Sequence, residues 1–313
     1  MSTTTEAAAA SQKVRRQPSA RKMAPKPNRA QARIGVAFSS GYTILLILFG
    51  IVPALYAIFL AFTKNGAFVG LDNFARVFAD FRFFPAVTHV GAYLLIWLVS
   101  LIVLVVILAV VVHGLRPKRL ASAVRFAYYI PGALAGASSV MLWLFVLDPS
   151  VSPVSFLLKA LGNDSFVETV SVDQLPVVLA IIAFWTGAGG WIVIMYGALN
   201  NISHDIMEAA RIDGAGPLKT AWYIQIPLLR KWISYMAILS LAAGTQLFVE
   251  PRVLSQASKG VVPQDYSLNQ LAFLIAFRQN DFNGSAAISL VLLVAALGLS
   301  IFFVLRGGLF ERD

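Results

Sequence analysis

Six apolar runs recur along this chain of 313 residues, and each is about as long as a membrane is thick. A helix needs about 20 consecutive apolar residues to cross the hydrocarbon core of a bilayer. Composition agrees, because 58% of the residues are hydrophobic and only 13% are charged, too few to cover a water-soluble globule. The sequence therefore predicts an all-α integral membrane protein with about six transmembrane helices. We place them at Gly41–Phe62, Val90–Val112, Phe126–Leu147, Pro176–Leu199, Trp232–Phe248 and Ala286–Leu305.

The distribution of Lys and Arg gives the orientation of these spans. Eighteen of the 25 basic residues fall in the N-terminal tail, the second and fourth connections and the C-terminal end, which would lie on one side of the membrane. Basic residues near helix ends are retained in the cytoplasm, so both termini are predicted to be cytoplasmic. The net charge of +10 is thus a signal of topology and of a surface attracted to anionic membrane lipid, and nucleic acid is not an expected partner.

The first 33 residues differ from the rest of the chain. They contain eight basic residues, an alanine run and a mixture of Ser, Gln and Pro, with no apolar periodicity. Such a composition is typical of disorder. We therefore divide the chain into a disordered basic cytoplasmic tail at 1–33 and a transmembrane domain at 34–313.

Several classes of chemistry have no support in the sequence. The chain has no cysteine, and its three histidines lie far apart without the spacing of metal ligands, so we expect no metal site. An intramembrane enzyme would need paired catalytic carboxylates, a histidine pair or a nucleophile turn in a span, and we predict no catalytic residue. An ion-coupled secondary transporter is the second alternative, but the nearest acidic residues, Asp148 and Glu250, lie at the outer edges of spans.

One polar loop, at about residues 200–231, interrupts the apolar pattern before the fifth span. Asp205 can cap a helix and Glu208 can return a bond to the cap, while Gly214 can end that helix in the left-handed conformation. Pro217 fits the first turn of a second helix, and Pro227 would kink this helix close to the fifth span. A helix of about nine residues is marginal alone in water, so we expect the first helix to rest against something.

The same loop resembles the cytoplasmic loop of the membrane subunits of binding-protein-dependent ABC importers. Glu208-Ala209-Ala210, then Gly214, Ile224 and Pro227, stand at that family's signature spacing, with Ile226 in place of the usual leucine.

Further segments resemble sugar-importer permeases of the maltose and glycerol-3-phosphate type. They are Phe68–Phe74, which reads FVGLDNF, Arg125–Pro131, Trp143–Phe145, Ala276–Arg278 and Asp281-Phe282. The resemblance covers about Gly41 to Arg306, and Ser255–Gly260 departs from the glycine-rich stretch expected there.

The resemblance implies a type I ABC importer permease fold with a coupling helix from about Asp205 to Gly214. This helix would dock in a cleft of a cytoplasmic ATP-hydrolysing subunit. The coupling residues would be Asp205, Glu208, Ala209, Ala210, Arg211, Asp213 and Gly214. The chain has no G-x-x-x-x-G-K-[ST] phosphate loop, so ATP and Mg are expected on the partner and no cofactor on this chain.

It also implies the remaining partners and the location. They are a second homologous permease, two copies of the ATP-binding subunit and an extracellular solute-binding protein, in a bacterial plasma membrane.

Polar and aromatic residues inside spans are candidates for a solute cavity, because polar groups are costly in lipid and tend to face a cavity. Gln246 and Glu250 are predicted one helical turn apart on the fifth span. Trp185, Thr186 and Trp191 on the fourth span offer aromatic faces and a hydroxyl suited to a sugar, although the glycines between them equally favour close helix packing. Ser289 on the sixth span completes the set. No Lys or Arg lies inside a predicted span, which favours a neutral sugar over the alternative, glycerol 3-phosphate or a glycerophosphodiester.

Overall fold

The computed structural model describes residues 29–115, 117–134 and 136–306. Its contacts divide the chain into two units, Met1–Pro53 and Ala54–Asp313. Residues 1–28 of the predicted tail lie outside the described residues. Residues 29–33 belong to a helix, because Ala30, Gln31 and their neighbours favour helix and extend the first span toward the N-terminus.

The first unit contains helix α1, Arg29–Leu46, and a π-helical turn, Ile47–Ile51. Its large apolar side chains from Val36 to Ile51 are exposed in the isolated chain, as expected for a helix that faces lipid. Helix α2, Val52–Phe62, follows.

A short hairpin follows α2. Strands β1, Thr63–Lys64, and β2, Ala67–Phe68, pair antiparallel with Thr63 opposite Phe68. Asn65 and Gly66 between them both have positive φ, 50° and 81°, the conformation that a two-residue hairpin turn requires. The hairpin turns the chain back beside the outer end of α2.

The central helices form one long apolar core. In order along the chain they are α3, Asp72–Phe78; α4, Phe83–Gly114; α5, Lys118–Tyr129; α6, Gly136–Leu147; α7, Ser155–Ala160; α8, Phe166–Thr169; and α9, Leu175–Asn200. A 3₁₀ turn, Ile130–Ala133, lies between α5 and α6. Helices α4 and α9 carry most of the core, where Leu101, Val105, Ile192 and Met195 are fully buried.

The C-terminal third contains the polar loop and the last two spans. It consists of α10, His204–Ile212; α11, Pro217–Thr220; a π-helical turn, Ala221–Gln225; α12, Ile226–Leu228; α13, Arg230–Gly244; α14, Val249–Ala257; α15, Leu268–Arg278; and α16, Phe282–Arg306. A second apolar cluster joins α15 and α16 to the outer ends of α2 and α4, around Ala61, Phe83, Leu271 and Ala287.

Among the described residues, up to six spans are found when each bent helix pair is counted as one crossing, in agreement with the predicted number of about six. Four helical stretches are long and apolar enough to cross a membrane by themselves: Gly35–Phe62, Phe83–Gly114, Leu175–Asn200 and Phe282–Leu305. The other two are the bent pairs Lys118–Ala133 with Gly136–Leu147 and Pro217–Leu228 with Arg230–Gly244. The predicted single helix Phe126–Leu147 is therefore wrong in one respect, since Pro131 lacks the N–H that a continuous helix would use.

Two glycines bring the fourth span against the broken third one. A Cβ at Gly189 would overlap the carbonyl oxygen of Tyr128, and a Cβ at Gly132 would lie 2.9 Å from the carbonyl oxygen of Thr186. Neither position therefore has room for a Cβ atom. The packing role of the glycine-rich stretch is thus supported at Gly189, whereas Gly187 and Gly190 face open space.

Candidate functional site

The polar loop begins with the isolated amphipathic helix α10. Ser203 is its N-cap, and its hydroxyl oxygen accepts a hydrogen bond from the Ile206 N–H at 3.3 Å. The predicted cap, Asp205, is wrong by two residues: it lies in the first turn, where its charge still suits the helix dipole. Glu208 instead pairs with His204 one turn earlier, with His204 Nδ1 3.7 Å from Glu208 Oε2.

The end of α10 depends on Gly214. Its φ is +72°, and the N–H of Gly214 donates to Arg211 O at 3.1 Å while the N–H of Ala215 donates to Ala210 O at 2.9 Å. This pair of bonds is the Schellman arrangement, which satisfies the last carbonyls of a helix and favours glycine at the left-handed residue. The prediction that Gly214 ends the helix in this conformation is confirmed.

Helix α10 has almost all of its polar residues in solvent. Asp205, Glu208, Ala209, Arg211, Asp213 and Gly214 are exposed, and Ala210 alone among the predicted coupling residues is buried. Ile206 and Ile212 are also exposed, Ile212 by 82%. A nine-residue helix with both charged and apolar groups uncovered presents a surface suited to another protein.

The second half of the polar loop is a helical arm that runs into the fifth span. We call Pro217–Leu228 the aromatic arm; it includes α11, the π-helical turn and α12. Pro217 is its first helical residue, as predicted, and the arm meets α13 at a bend of 62°. Pro227 lies two residues before the bend, where its missing N–H weakens the continuation of the helix.

A cavity of about 780 Å³ lies between the polar loop and the end of α4. His113 of α4, Arg211 of α10, and Thr220 and Gln225 of the aromatic arm supply its polar lining. Tyr196 of α9 is close to this end of the spans, with the His113 ring edge-on at 5.6 Å and the Arg125 guanidinium 3.8 Å above its ring centre. The cavity shows that the polar loop does not pack tightly against the end of α4.

The solute candidates of the fourth span lie in two separate aromatic pairs. Trp185 meets Trp143 of α6 edge-on at 5.8 Å, and Trp191 meets Tyr235 of α13 at 5.9 Å. The hydroxyl of Thr186 donates to the carbonyls of Ile182 and Ala183 within its own helix. Trp185, Thr186 and Trp191 are all half-buried, so part of each tryptophan ring remains uncovered.

The candidates of the fifth span are not one helical turn apart, and that prediction is wrong. Helix α13 ends at Gly244, Gln246 lies in the following turn, and Glu250 lies in the first turn of α14. Groups from a later segment satisfy the carbonyls of the turn that follows the helix: Asn269 Nδ2 donates to Thr245 O at 3.2 Å, and the Ser267 hydroxyl donates to Leu247 O at 2.6 Å.

The structure gives Gln246, Glu250 and Ser289 different surroundings. Gln246 is exposed and lines an open cavity of about 390 Å³ with Phe248, Asn269 and Phe273. Glu250 is half-buried in the first turn of α14. Ser289 is exposed on α16, and its hydroxyl donates to Ser285 O in the same helix.

Sequence reasoning missed a cluster of hydrogen-bonded side chains at the outer end of the spans. We call Asn73, Arg76, Asp281 and Asn283 the outer clasp. Asn73 is fully buried, and its Nδ2 donates to Ala61 O at 2.9 Å and to Thr63 O at 2.8 Å.

The other three members close this cluster across the molecule. Arg76 donates to Asn73 Oδ1 at 2.6 Å and to Asp281 Oδ2 at 3.0 Å, and Asn283 Nδ2 donates to Thr63 O at 2.7 Å. The signal in the sequence was the asparagine that follows a span within an apolar segment, since a buried amide needs partners.

The comparisons with known proteins agree with this architecture. No family model matches the chain. A probable ABC transporter permease protein, YurN of Bacillus subtilis (strain 168), is 24% identical over 266 residues, which cover 82% of this chain and 90% of YurN. The permease protein MsmF of a multiple sugar-binding transport system in Streptococcus mutans is 26% identical over 262 residues, 80% of this chain and 87% of MsmF. The permease protein UgpA of an sn-glycerol-3-phosphate transport system in Yersinia pestis is 27% identical over 242 residues, 77% of this chain and 80% of UgpA.

Two solved structures share the fold. A chain of a bacterial alginate ABC transporter, in complex with an alginate pentasaccharide-bound periplasmic protein, superposes with a TM-score of 0.76 at 18% identity and covers 88% of this chain and 93% of its own length. A chain from a bacterial ABC transporter involved in the import of alginate gives 0.78 at 17%, over 91% and 99%. The predicted fold and the resemblance to sugar ABC transporter permeases are therefore confirmed.

Proposed function

We propose that this chain, a relative of sugar ABC transporter permeases and a multi-pass membrane protein with their fold, is the membrane-spanning subunit of an ATP-driven importer for a sugar or oligosaccharide. The observation that carries the proposal is the polar loop. It combines an isolated nine-residue helix, α10, with a left-handed glycine at its end and a surface that is exposed in the isolated chain.

The exposed face of α10 is the proposed contact with a cytoplasmic ATP-hydrolysing subunit. Glu208 and Arg211 offer charges of both signs, and Ile212 offers an apolar contact beside them. ATP and Mg would be held by two copies of that subunit. When nucleotide closes the ATPase pair, α10 is carried with it, and the aromatic arm transmits the movement to the fifth span through the bend at Leu229.

The remaining partners follow from the same proposal. A second homologous permease would complete the pathway across the bacterial plasma membrane, and an extracellular solute-binding protein would deliver the solute. The alginate transporter with the same fold was solved with a periplasmic protein that carries an alginate pentasaccharide, which supports a binding protein here.

Trp185 and Gln246 are the proposed contacts with the solute. Trp185 offers a half-buried ring that can stack on the apolar face of a sugar, and Gln246 offers an amide beside an open cavity with Asn269 and Phe273. An uncharged sugar suits this pair because neither side chain carries a charge. The relative UgpA belongs to an sn-glycerol-3-phosphate system, so that phosphate ester is the second candidate substrate.

Purification of the chain in mild detergent from its native cell, followed by mass spectrometry, tests the assembly. We expect an ATP-binding subunit and a second six-span protein to accompany the chain. A chain that comes out alone, under conditions in which other membrane complexes stay intact, would contradict the proposal.

The assembled complex then allows the solute contacts to be tested. Trp185→Ala and Gln246→Ala should each weaken solute-stimulated ATP hydrolysis while the complex still assembles. Ser100→Ala is the matched control, because its hydroxyl is already bonded to Ile96 O within α4 and Ser100 is not among the solute candidates. Unchanged kinetics in both test variants would remove these residues from the site.

A further inference from the structure

One face of the aromatic arm is strongly apolar and uncovered. Leu218 is 82% exposed, Trp222 66% and Tyr223 74%, whereas the opposite face, with Thr220, Gln225 and Leu229, is buried. Large apolar side chains grouped on one helix face are unfavourable in water and mark a surface that another phase or molecule covers.

The chain itself places this face at the membrane surface. The arm meets α13 after a single residue, Leu229, and α13 begins the predicted fifth span, Trp232–Phe248, so the arm lies outside that span. A bend of 62° between the two turns the arm away from the direction of the span. A helix that leaves a span at such an angle stays near the level at which the span enters the bilayer.

The residue types match the boundary between lipid and water. Trp and Tyr are enriched at the level of lipid headgroups, because their rings are apolar and their N–H or O–H groups are polar. Lys219 lies beside Leu218 on the exposed side, and Arg230 and Lys231 follow the arm at the start of α13. Basic residues beside an apolar face are typical of helices that lie in the surface of a membrane with anionic lipids.

We infer that the aromatic arm is an interfacial anchor: Leu218, Trp222 and Tyr223 insert among the cytoplasmic headgroups and the adjoining acyl chains, and the basic residues contact anionic lipid. The bilayer, and not the spans alone, then sets the height of α10 above the membrane. This inference uses the cytoplasmic side assigned to the polar loop under the proposed function, but it does not depend on an ATPase partner.

The absence of cysteine from the chain makes a direct test possible. Single variants Tyr223→Cys and Leu218→Cys, each carrying a nitroxide label, would be studied in the assembled complex in bilayers with anionic and zwitterionic lipid. The ratio of collision rates with oxygen, which dissolves in lipid, and with a water-soluble nickel chelate measures the depth of the label. Asp164→Cys, exposed in the loop before α8 and outside the coupling residues, is the matched control, and the unsubstituted chain reports any label on other subunits.

We expect a higher ratio of oxygen to nickel collisions at 218 and 223 than at 164. A ratio at both positions equal to that at 164 would place the arm in water and overturn the inference. Protection of both positions from oxygen as well as nickel would also overturn it, because it would show that a protein covers the face. If the complex contains no ATPase, the proposed function fails, yet the depth of the arm is still measured, so the two failures are distinguishable.

Discussion

The outer clasp and the polar loop lie at opposite ends of the spans and use polar side chains in opposite ways. At the clasp, Asn73 is fully buried and each polar atom of its amide has a partner within the chain. In the polar loop, Glu208 and Arg211 are exposed. Glu208 pairs with His204 at 3.7 Å, a long contact between two exposed side chains. Polar groups that are satisfied internally hold the fold together, whereas those left uncovered remain available to another molecule.

The difference extends to how each region ends its helix. The clasp satisfies the last carbonyls of α2 with side chains from two other segments, Asn73 and Asn283. The polar loop satisfies the last carbonyls of α10 with backbone N–H groups of the next three residues, Asp213, Gly214 and Ala215. The first solution ties together parts of the chain that are 220 residues apart, and the second leaves α10 free of such ties.

The largest effect on stability is expected from Asn73→Ala. The change removes the donor to Ala61 O and the acceptor of Arg76, and a buried polar group without a partner costs about 1–3 kcal/mol. We expect a loss of about 2–4 kcal/mol in the free energy of unfolding, seen as a lower midpoint of thermal unfolding in lipid nanodiscs. Asn201→Ala, in which the lost side chain is exposed, is the control. Equal midpoints for the two variants would show that the clasp does not hold the spans.

Gly214→Val should change coupling more than stability. A side chain at Gly214 meets no atom within 4 Å, so the penalty is the left-handed backbone itself, about 1–2 kcal/mol for a residue with a Cβ. We expect α10 to lose its end and solute-stimulated ATP hydrolysis to fall, with little change in the unfolding of the spans.

Gly214→Asn tests whether the left-handed backbone conformation, and not glycine itself, is what position 214 requires. Asparagine tolerates the left-handed region, so this variant should keep most of the activity. Full transport by Gly214→Val would contradict the role given to this turn.

A smaller effect is expected from two exposed carboxylates at opposite ends of the spans, Glu208 and Glu168. Glu208→Gln should leave the midpoint of unfolding unchanged and reduce the ATPase activity of the complex, because its charge is available to a partner. Glu168→Ala should do the reverse, because the Glu168 carboxylate accepts hydrogen bonds from the N–H groups of Asp164 and Ser165 at the start of α8 and alanine has no acceptor to replace it. An ATPase defect in the Glu168 variant, or its absence in the Glu208 variant, would remove the contrast.

The smallest expected effect is on the pH dependence of stability, through Asp80, which lies near the outer clasp. Hydrogen bonds from the Arg82 side chain hold the pKa of Asp80 below its usual value, although partial burial acts in the opposite direction. A carboxyl with a lowered pKa stabilises the fold above its unfolded pKa, about 3.9, and this stabilisation is lost as the pH falls through the lower folded pKa.

We therefore expect Asp80→Asn to be less stable than the wild type at pH 7 and the two to converge as the pH falls below about 4. The pH dependence of the unfolding midpoint measures this. Arg82→Gln should weaken the dependence in the same way while it keeps the acid. A constant difference between Asp80→Asn and the wild type down to low pH would contradict the assignment.

The sequence was most informative where local chemistry decides the structure. The number of spans, the left-handed Gly214, and Pro217 at the start of a helix depend on hydrophobic length, on φ and on a missing N–H, which single residues determine. The turn that follows α13 could not be predicted, because Ser267 and Asn269 from a later segment bond its carbonyls at Leu247 and Thr245. The cap of α10 was misplaced because Ser203 and Asp205 are both good N-cap residues, and the backbone conformation selects between them.

The place where the fourth span crosses the broken third span has a mechanical consequence. Gly189 lies against the backbone of Tyr128, and Gly132 lies against the backbone of Thr186, so the two segments touch at two points without an intervening side chain. Backbone atoms, unlike side chains, cannot change rotamer to make room, so neither contact can tighten further. We therefore expect the segment around Tyr128–Gly132 and α9 to move together when the protein changes conformation.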